Sequence, residues 1–177
     1  MNDVLIYLTL AACILIQISV IVFFTFSLYG GFSFGPYVSS GRKRIAEMLD
    51  AAGLSPGAKI IELGSGDGAL CILAAQRGLH AHGIEINPLL VPWSAWRAKM
   101  AGVQGKATFR LADLWRTKLP ADTDAVFIYG LPMTLPRVWE KCRAELKPGT
   151  LIISNAFRFT DQEPIRISGS IRVYRLP

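Results

Sequence analysis

The feature that most constrains this chain is a run without charge. Between Asp3 and Arg42 no residue is ionisable as Lys, Arg, Asp or Glu, and Val4 to Leu28 carries only Tyr7, Thr9, Gln17, Ser19, Thr25 and Ser27 as polar side chains. As a helix, such a run reaches about 37 Å, enough to cross a hydrocarbon core of about 30 Å with some tilt. It is apolar all round, so no globular domain of the size that follows can wrap it. A cleaved signal peptide would begin with basic residues and a shorter apolar core; here Asp3 stands at the start. The expectation is an uncleaved single-pass anchor over residues 1–29, a connector or lid over 30–40, and a domain over 41–177.

The rest of the chain has a different character. All 19 Lys and Arg and 12 of the 13 Asp and Glu lie in Arg42–Pro177, an ordinary globular composition. Disorder, a collagen-like or coiled-coil rod and a multi-pass transporter are excluded. Cys13, Cys71 and Cys142 are scattered, with no CxxC spacing, so neither a disulfide framework nor a metal site is expected, and the domain belongs in a reducing compartment. Arg42-Lys43-Arg44 follows the apolar run and no basic residue precedes it, which puts the domain on the cytoplasmic side.

Within the domain the pattern alternates. A helix from near Gly41, capped by Ser39 or Ser40, presents Ile45, Met48, Leu49 and Ala52 on one face and stops at Ser55-Pro56-Gly57. Strands are predicted over 59–63, 81–86, 107–111, 125–129 and 150–154. Helices follow Gly68, Pro88 and Thr134. Ile165–Ser168 and Ile171–Tyr174 flank Gly169-Ser170, a hairpin signal. Alternating β and α predicts a parallel α/β sheet, closed by an antiparallel hairpin at one edge.

Ile61-Glu62-Leu63-Gly64-Ser65-Gly66-Asp67-Gly68 joins the first strand to its helix. Glycines there let the backbone turn tightly and approach a ligand. Glu85, some 20 residues on, stands where an acid reaches a ribose hydroxyl pair. Gly64, Gly66 and Ala69 also satisfy dinucleotide spacing. Three residues weigh against a pyrophosphate. Glu62 and Asp67 would repel phosphates and suit a ligand with a cationic amino acid end. Asp113, just past the third strand, can accept from an adenine amino group, with Leu114 and Trp115 packing on the ring. The bland readings are a turn or cap for Asp113, core packing for Trp115, core or membrane-interface contacts for Trp93 and Trp96, a helix cap for Asn87-Pro88, and structural roles for His80 and His82.

Taken together, Glu62 to Gly68, Glu85 and Asp113 resemble the class I, seven-strand S-adenosylmethionine-dependent methyltransferases, whose sheet order is 3-2-1-4-5-7-6. A narrower resemblance runs through Gly35-Pro36-Tyr37-Val38, Leu63 to Gly68, Gly83 to Leu90, Ala112-Asp113-Leu114-Trp115 and Tyr129-Gly130-Leu131-Pro132. It is to the small membrane-anchored protein lysine methyltransferases of mitochondria, which modify the ATP synthase c-subunit and the adenine nucleotide translocase. The connector departs from relatives that often have a second proline after Pro36. The resemblance implies S-adenosylmethionine as co-substrate, held by Glu62, Gly64, Ser65, Gly66, Asp67, Gly68, Glu85, Ile86, Asp113, Leu114, Trp115 and Tyr129. Tyr37, as a lid, Asp67 and Tyr129 are the candidates for catalysis. It implies a lysine of a membrane-associated protein as acceptor, with no nucleic acid and no metal. With no Arg-rich presequence, a bacterial inner membrane is expected. The open alternatives are a lipid-soluble small molecule or RNA as acceptor, a nicotinamide oxidoreductase, and a non-catalytic membrane module.

Overall fold

The structure is a computed structural model that describes residues 2–33 and 41–177. The proposed lid residue Tyr37 and the caps Ser39 and Ser40 lie outside the described residues. The apolar run forms one helix, α1 (Asn2–Ser33), which continues past the expected anchor boundary into the connector. Its stretch Asp3–Leu28 is long and apolar enough to cross a membrane by length and composition. Along it, the Thr9 hydroxyl donates to the Leu5 carbonyl at 2.8 Å, which satisfies a polar group without water.

Thereafter come α2 (Arg42–Ala52), β1 (Lys59–Leu63), α3 (Ala69–Gln76), β2 (His80–Glu85), α4 (Leu90–Met100), β3 (Ala107–Leu111) and β4 (Ala125–Ile128). A 3-10 turn (Pro132–Thr134) leads into α5 (Leu135–Glu145), followed by β5 (Leu151–Asn155), β6 (Arg166–Ser168) and β7 (Ile171–Arg175). The helix predicted from Thr134 thus begins one residue later, behind that tight turn. Gly41 takes the N-cap position of α2 without a side-chain bond.

The seven strands form one sheet in the order β3-β2-β1-β4-β5-β7-β6. β1 to β5 pair in parallel, β7 runs antiparallel to β5, and β6 pairs antiparallel with β7. The expected order and closing hairpin are both present. Each face of the sheet carries a core. Ile60, Ala125, Phe127 and Ile153 pack with α2 and α3 residues such as Ile45, Leu49, Leu70 and Ala74. Ile61, Leu63, Val126, Ile128 and Ile152 pack with Leu135, Val138 and Trp139 of α5. Central strands covered on both faces must be apolar throughout, and all four residues of β4 are buried. No described residue of α1 enters either cluster.

Neighbouring crossovers diverge between β1 and β4. That divergence opens a crevice at the carboxyl ends of the strands, where ligands of open α/β sheets bind.

Candidate active site

The loop after β1 reaches this crevice through three left-handed turns, with φ of 73° at Gly64, 52° at Gly66 and 74° at Gly68. Only glycine enters that region without a Cβ penalty. Gly64 and Ser65 N–H groups donate to the Ile84 carbonyl at 2.9 and 3.0 Å, and Gly68 N–H closes back on the Ser65 carbonyl at 2.8 Å. Gly68 has a second constraint. A Cβ there would stand 2.6 Å from the Phe109 ring and 2.9 Å from Ser94.

Glu85 ties the loop to the end of β2. Its Oε2 accepts from Gly66 N–H at 2.8 Å. Its Oε1 accepts from Ile86 N–H at 2.9 Å and from Asn87 N–H at 2.8 Å. A carboxylate offers about four acceptor positions, so three amides leave one for a ligand hydroxyl. Glu85, at the end of β2, is therefore the clasp of the loop.

α4 holds the other side of the loop, through residues the sequence reading passed over. Ser94 Oγ donates to the Gly66 carbonyl at 2.9 Å. Arg97 Nη1 donates to the Asp67 carbonyl at 2.6 Å and makes a close ion pair with Asp67 Oδ2. Asp67 Oδ1 accepts from Ala69 N–H at 3.3 Å. Both Asp67 oxygens thus have protein partners. Ser94 and Arg97 are three apart on a helix and so share a face; that spacing was the available signal.

Glu62, at the end of β1, accepts from the Cys71 thiol at 3.3 Å. Its carboxyl is pushed up to about 8, first by burial and then by the nearby charges of Asp67 and Glu85. Burial likewise pushes the Cys71 thiol up. A carboxyl held part-protonated beside other acids is poised to ionise when a cation arrives.

The remaining expected residues divide. Ser65 turns its hydroxyl inward, buried and with no hydrogen-bond partner among the described residues, against Gly83 and Phe109. Ile86 follows Glu85 at the crevice, half-buried. Leu114 is buried in the α5-side core. Asp113 Oδ1 caps the following turn by accepting from Trp115 N–H at 2.9 Å, and Oδ2 lies 3.7 Å from Arg116 Nε. Trp115 packs at the margin of the same core, with the Arg137 guanidinium 4.0 Å over its ring.

Across the crevice, Tyr129 follows β4 and is 37% exposed. Its ring stacks on Phe157 with centroids 6.5 Å apart and planes inclined by 28°. Phe157 is a second residue the sequence reading missed, although it stands just beyond the carboxyl end of β5. The backbone there is bent for it. Ala156 has φ 71°, unique for a non-glycine among the described residues, and its N–H bonds the Ser170 carbonyl at 3.1 Å. Ser154 Oγ donates to the Phe157 carbonyl at 2.6 Å. A left-handed alanine costs about 1–2 kcal/mol, so the surrounding bonds hold Phe157 in this place against strain.

With this geometry in place, comparison with known proteins is decisive. Residues 62–166 match the model of the ANTKMT methyltransferase domain. The chain belongs to this family. It is 35% identical over 134 residues to the ATP synthase c-subunit lysine N-methyltransferase of Mus musculus, covering 76% of this chain and 53% of that protein. It is 33% identical over 135 residues to the adenine nucleotide translocase lysine N-methyltransferase of Mus musculus, covering 76% of this chain and 58% of that protein. The chain thus spans about half the length of the curated relatives it matches. Among solved structures, it resembles an RNA methyltransferase from Salinibacter ruber in complex with S-adenosyl-L-homocysteine. That likeness has a TM-score of 0.72 at 31% identity and covers 78% of this chain and 92% of the other. In this chain the ANTKMT-type domain carries a glycine loop at the sheet switch point, clasped by Glu85 from the next strand.

Proposed function

We propose that this ANTKMT-type protein binds S-adenosylmethionine and transfers its methyl group to a lysine amine of a membrane protein. The carrying observation is the Glu85 clasp. One carboxylate fixes three backbone amides and has capacity for one more hydrogen bond, which a ribose hydroxyl would use. Glu62, half-buried below the loop and up to about 8, suits the donor's ammonium end. When bound, the donor supplies a methyl on a cationic sulfonium.

The chain's residues have three tasks. The glycine loop, Glu85 and the Ser94–Arg97 pair of α4 hold the donor side rigid, so that alignment is not lost at the moment of reaction. Tyr129 and Phe157 form the acceptor side. Their stacked rings remove water from an arriving lysine, whose free amine is protonated below about pH 10.4. Desolvation lowers that value and yields the neutral nucleophile. The nitrogen–carbon bond forms as the carbon–sulfur bond breaks, and the surplus amine proton leaves to solvent past the exposed edge of Tyr129. Tyr37 remains the proposed lid.

Lysine is preferred over other acceptors because the matched curated relatives are named for lysine of membrane proteins and because the Asp3–Leu28 helix suits a membrane setting. The exposed Arg42 and Lys43 beyond that helix support a cytoplasmic-side domain on a bacterial inner membrane. The second reading is RNA, favoured by the Salinibacter ruber likeness. The test incubates the full chain and isotope-labelled methyl donor with membranes and with RNA from cells lacking the gene. Label recovered as methyl-lysine after protein hydrolysis supports the proposal. Label in nucleosides transfers the assignment to RNA.

A further inference from the structure

α4 presents two faces, and the site uses one. Leu90, Ser94 and Ala98 turn inward, with Arg97 beside them reaching the glycine loop. Pro92, Trp93, Trp96, Lys99 and Met100 recur at helical spacing on the opposite side, and all are exposed. Trp93 is 50%, Trp96 51% and Met100 69% accessible, and the two indoles stack at 4.9 Å. Core packing, one of the roles open to these tryptophans from sequence beside membrane-interface and substrate contacts, is ruled out. A stacked pair of bare indoles beside a methionine is a patch that points to a partner.

The place of α4 in the molecule says which. Asn87, three residues before it, donates from Nδ2 to the Phe23 carbonyl and to the Ser27 hydroxyl of α1, both at 3.4 Å. Phe23 and Ser27 lie in the last two turns of the apolar stretch Asp3–Leu28, at its domain-side end. The Asn87 contact therefore falls where hydrocarbon gives way to headgroups. Trp93 and Trp96 lie about 4.5 and 9 Å along α4 from Leu90, within reach of the headgroup layer. Indole favours that layer, since its body is apolar while its N–H needs a polar partner. Lys99, on the same face, complements anionic headgroups.

We propose that the outer face of α4 rests in the headgroup layer of the bilayer that holds α1, a second membrane contact that fixes the carboxyl edge of the sheet, and the site, at the membrane surface. This rests on reading α1 as an anchor. The full chain is reconstituted in phosphatidylcholine–phosphatidylglycerol vesicles, with and without acyl chains brominated near the headgroup. The expected result is strong quenching of tryptophan emission that disappears in the Trp93→Phe/Trp96→Phe double variant, leaving Trp115 and Trp139 unquenched. Absence of quenching while the chain resists alkaline carbonate extraction overturns the proposal and leaves the anchor standing. Release by carbonate overturns both. A Trp93→Ser/Trp96→Ser variant is expected to keep donor affinity and to lose methylation of acceptors in membranes severalfold, but not of detergent-solubilised ones. That loss without lipid quenching assigns the face to the acceptor protein, and a dimer abolished by the same variant assigns it to a second copy; either overturns the proposal. Quenching with no methyl-lysine formed anywhere upholds the bilayer contact and removes the proposed activity.

Discussion

At the scale of single residues, the loop is held by groups whose removal has opposite consequences. Ser65 Oγ is buried without a partner among the described residues, so Ser65→Ala removes an unsatisfied hydroxyl and should be neutral or slightly stabilising in thermal melts. Gly83→Ala should do the reverse. Its Cβ would meet Ser65 Oγ at 2.5 Å and Phe109 at 2.7 Å, an overpacking that costs about 1–3 kcal/mol. Glu85→Ala leaves the Gly66, Ile86 and Asn87 amides without their acceptor. The expected outcome is a lower melting temperature together with donor affinity weakened by about 1.5–3 kcal/mol in calorimetry. A fall in affinity with unchanged stability would mean that the carboxylate serves the ligand alone. Glu62 supplies a pH dependence. Its folded value, about 8, lies above the ordinary 4.5, so the folded chain keeps a proton that the unfolded chain has released. Its contribution to stability is complete below about pH 4.5 and declines as pH rises through about 8. Glu62→Gln should flatten the decline in melting temperature across that window. If the donor's ammonium sits there, binding near neutral pH should release protons. Titration calorimetry in buffers of different ionisation enthalpy reads that release.

At the scale of elements, α4 emerges as the support of the donor loop. Ser94 and Arg97 bond Gly66 and Asp67 from one face. Neither residue need touch the donor, so each is a positioning residue. Ser94→Ala should raise the donor dissociation constant several-fold while leaving far-ultraviolet circular dichroism unchanged, with hydrogen exchange at Gly66 to Gly68 faster than in the parent. The same helix illustrates what periodicity conveys. The start and stop of α4 follow from Asn87-Pro88 and Gly102, and Asn87 Oδ1 does accept from Leu89 N–H at 3.0 Å in the expected capping turn. Which face turned inward was not legible, because tryptophans occupy one stripe and Ser94, Ala98 and Arg97 the other. Hydrophobicity alone would have buried the wrong side.

At the scale of the molecule, α1 and the domain are nearly separate units. Neither core cluster draws on the described residues of α1, and among the described residues the side-chain bonds from the domain to α1 come from Asn87. Deleting residues 1–26 should therefore preserve the fold and donor affinity. Methylation of an acceptor in membranes should fall steeply, while methylation of the same acceptor in detergent falls much less, since a short tether acts by raising effective concentration. Equal loss in both settings would show that α1 is part of the fold.

The sequence by itself determined the features that rest on local chemistry. An uncharged apolar run of this length reads as one long helix, and α1 is one long helix, long and apolar enough to cross a membrane by length and composition. Apolar stretches broken by Gly and Pro set the strands, and their alternation with helices set a parallel sheet closed by a hairpin, while the strand order came from the family resemblance. Gly64 to Gly68 announced a left-handed loop because few other residues could make it. Tertiary structure alone decided what depends on convergence. Glu85 is a clasp, because the amides of Gly66, Ile86 and Asn87 converge on its carboxylate. Arg97 reaches Asp67, and Phe157 reaches Tyr129 over a strained Ala156, across sequence distances that carry no periodic signal. Leu114 enters the core and Trp96 faces outward, since which side of an element is covered is settled by its neighbours in space.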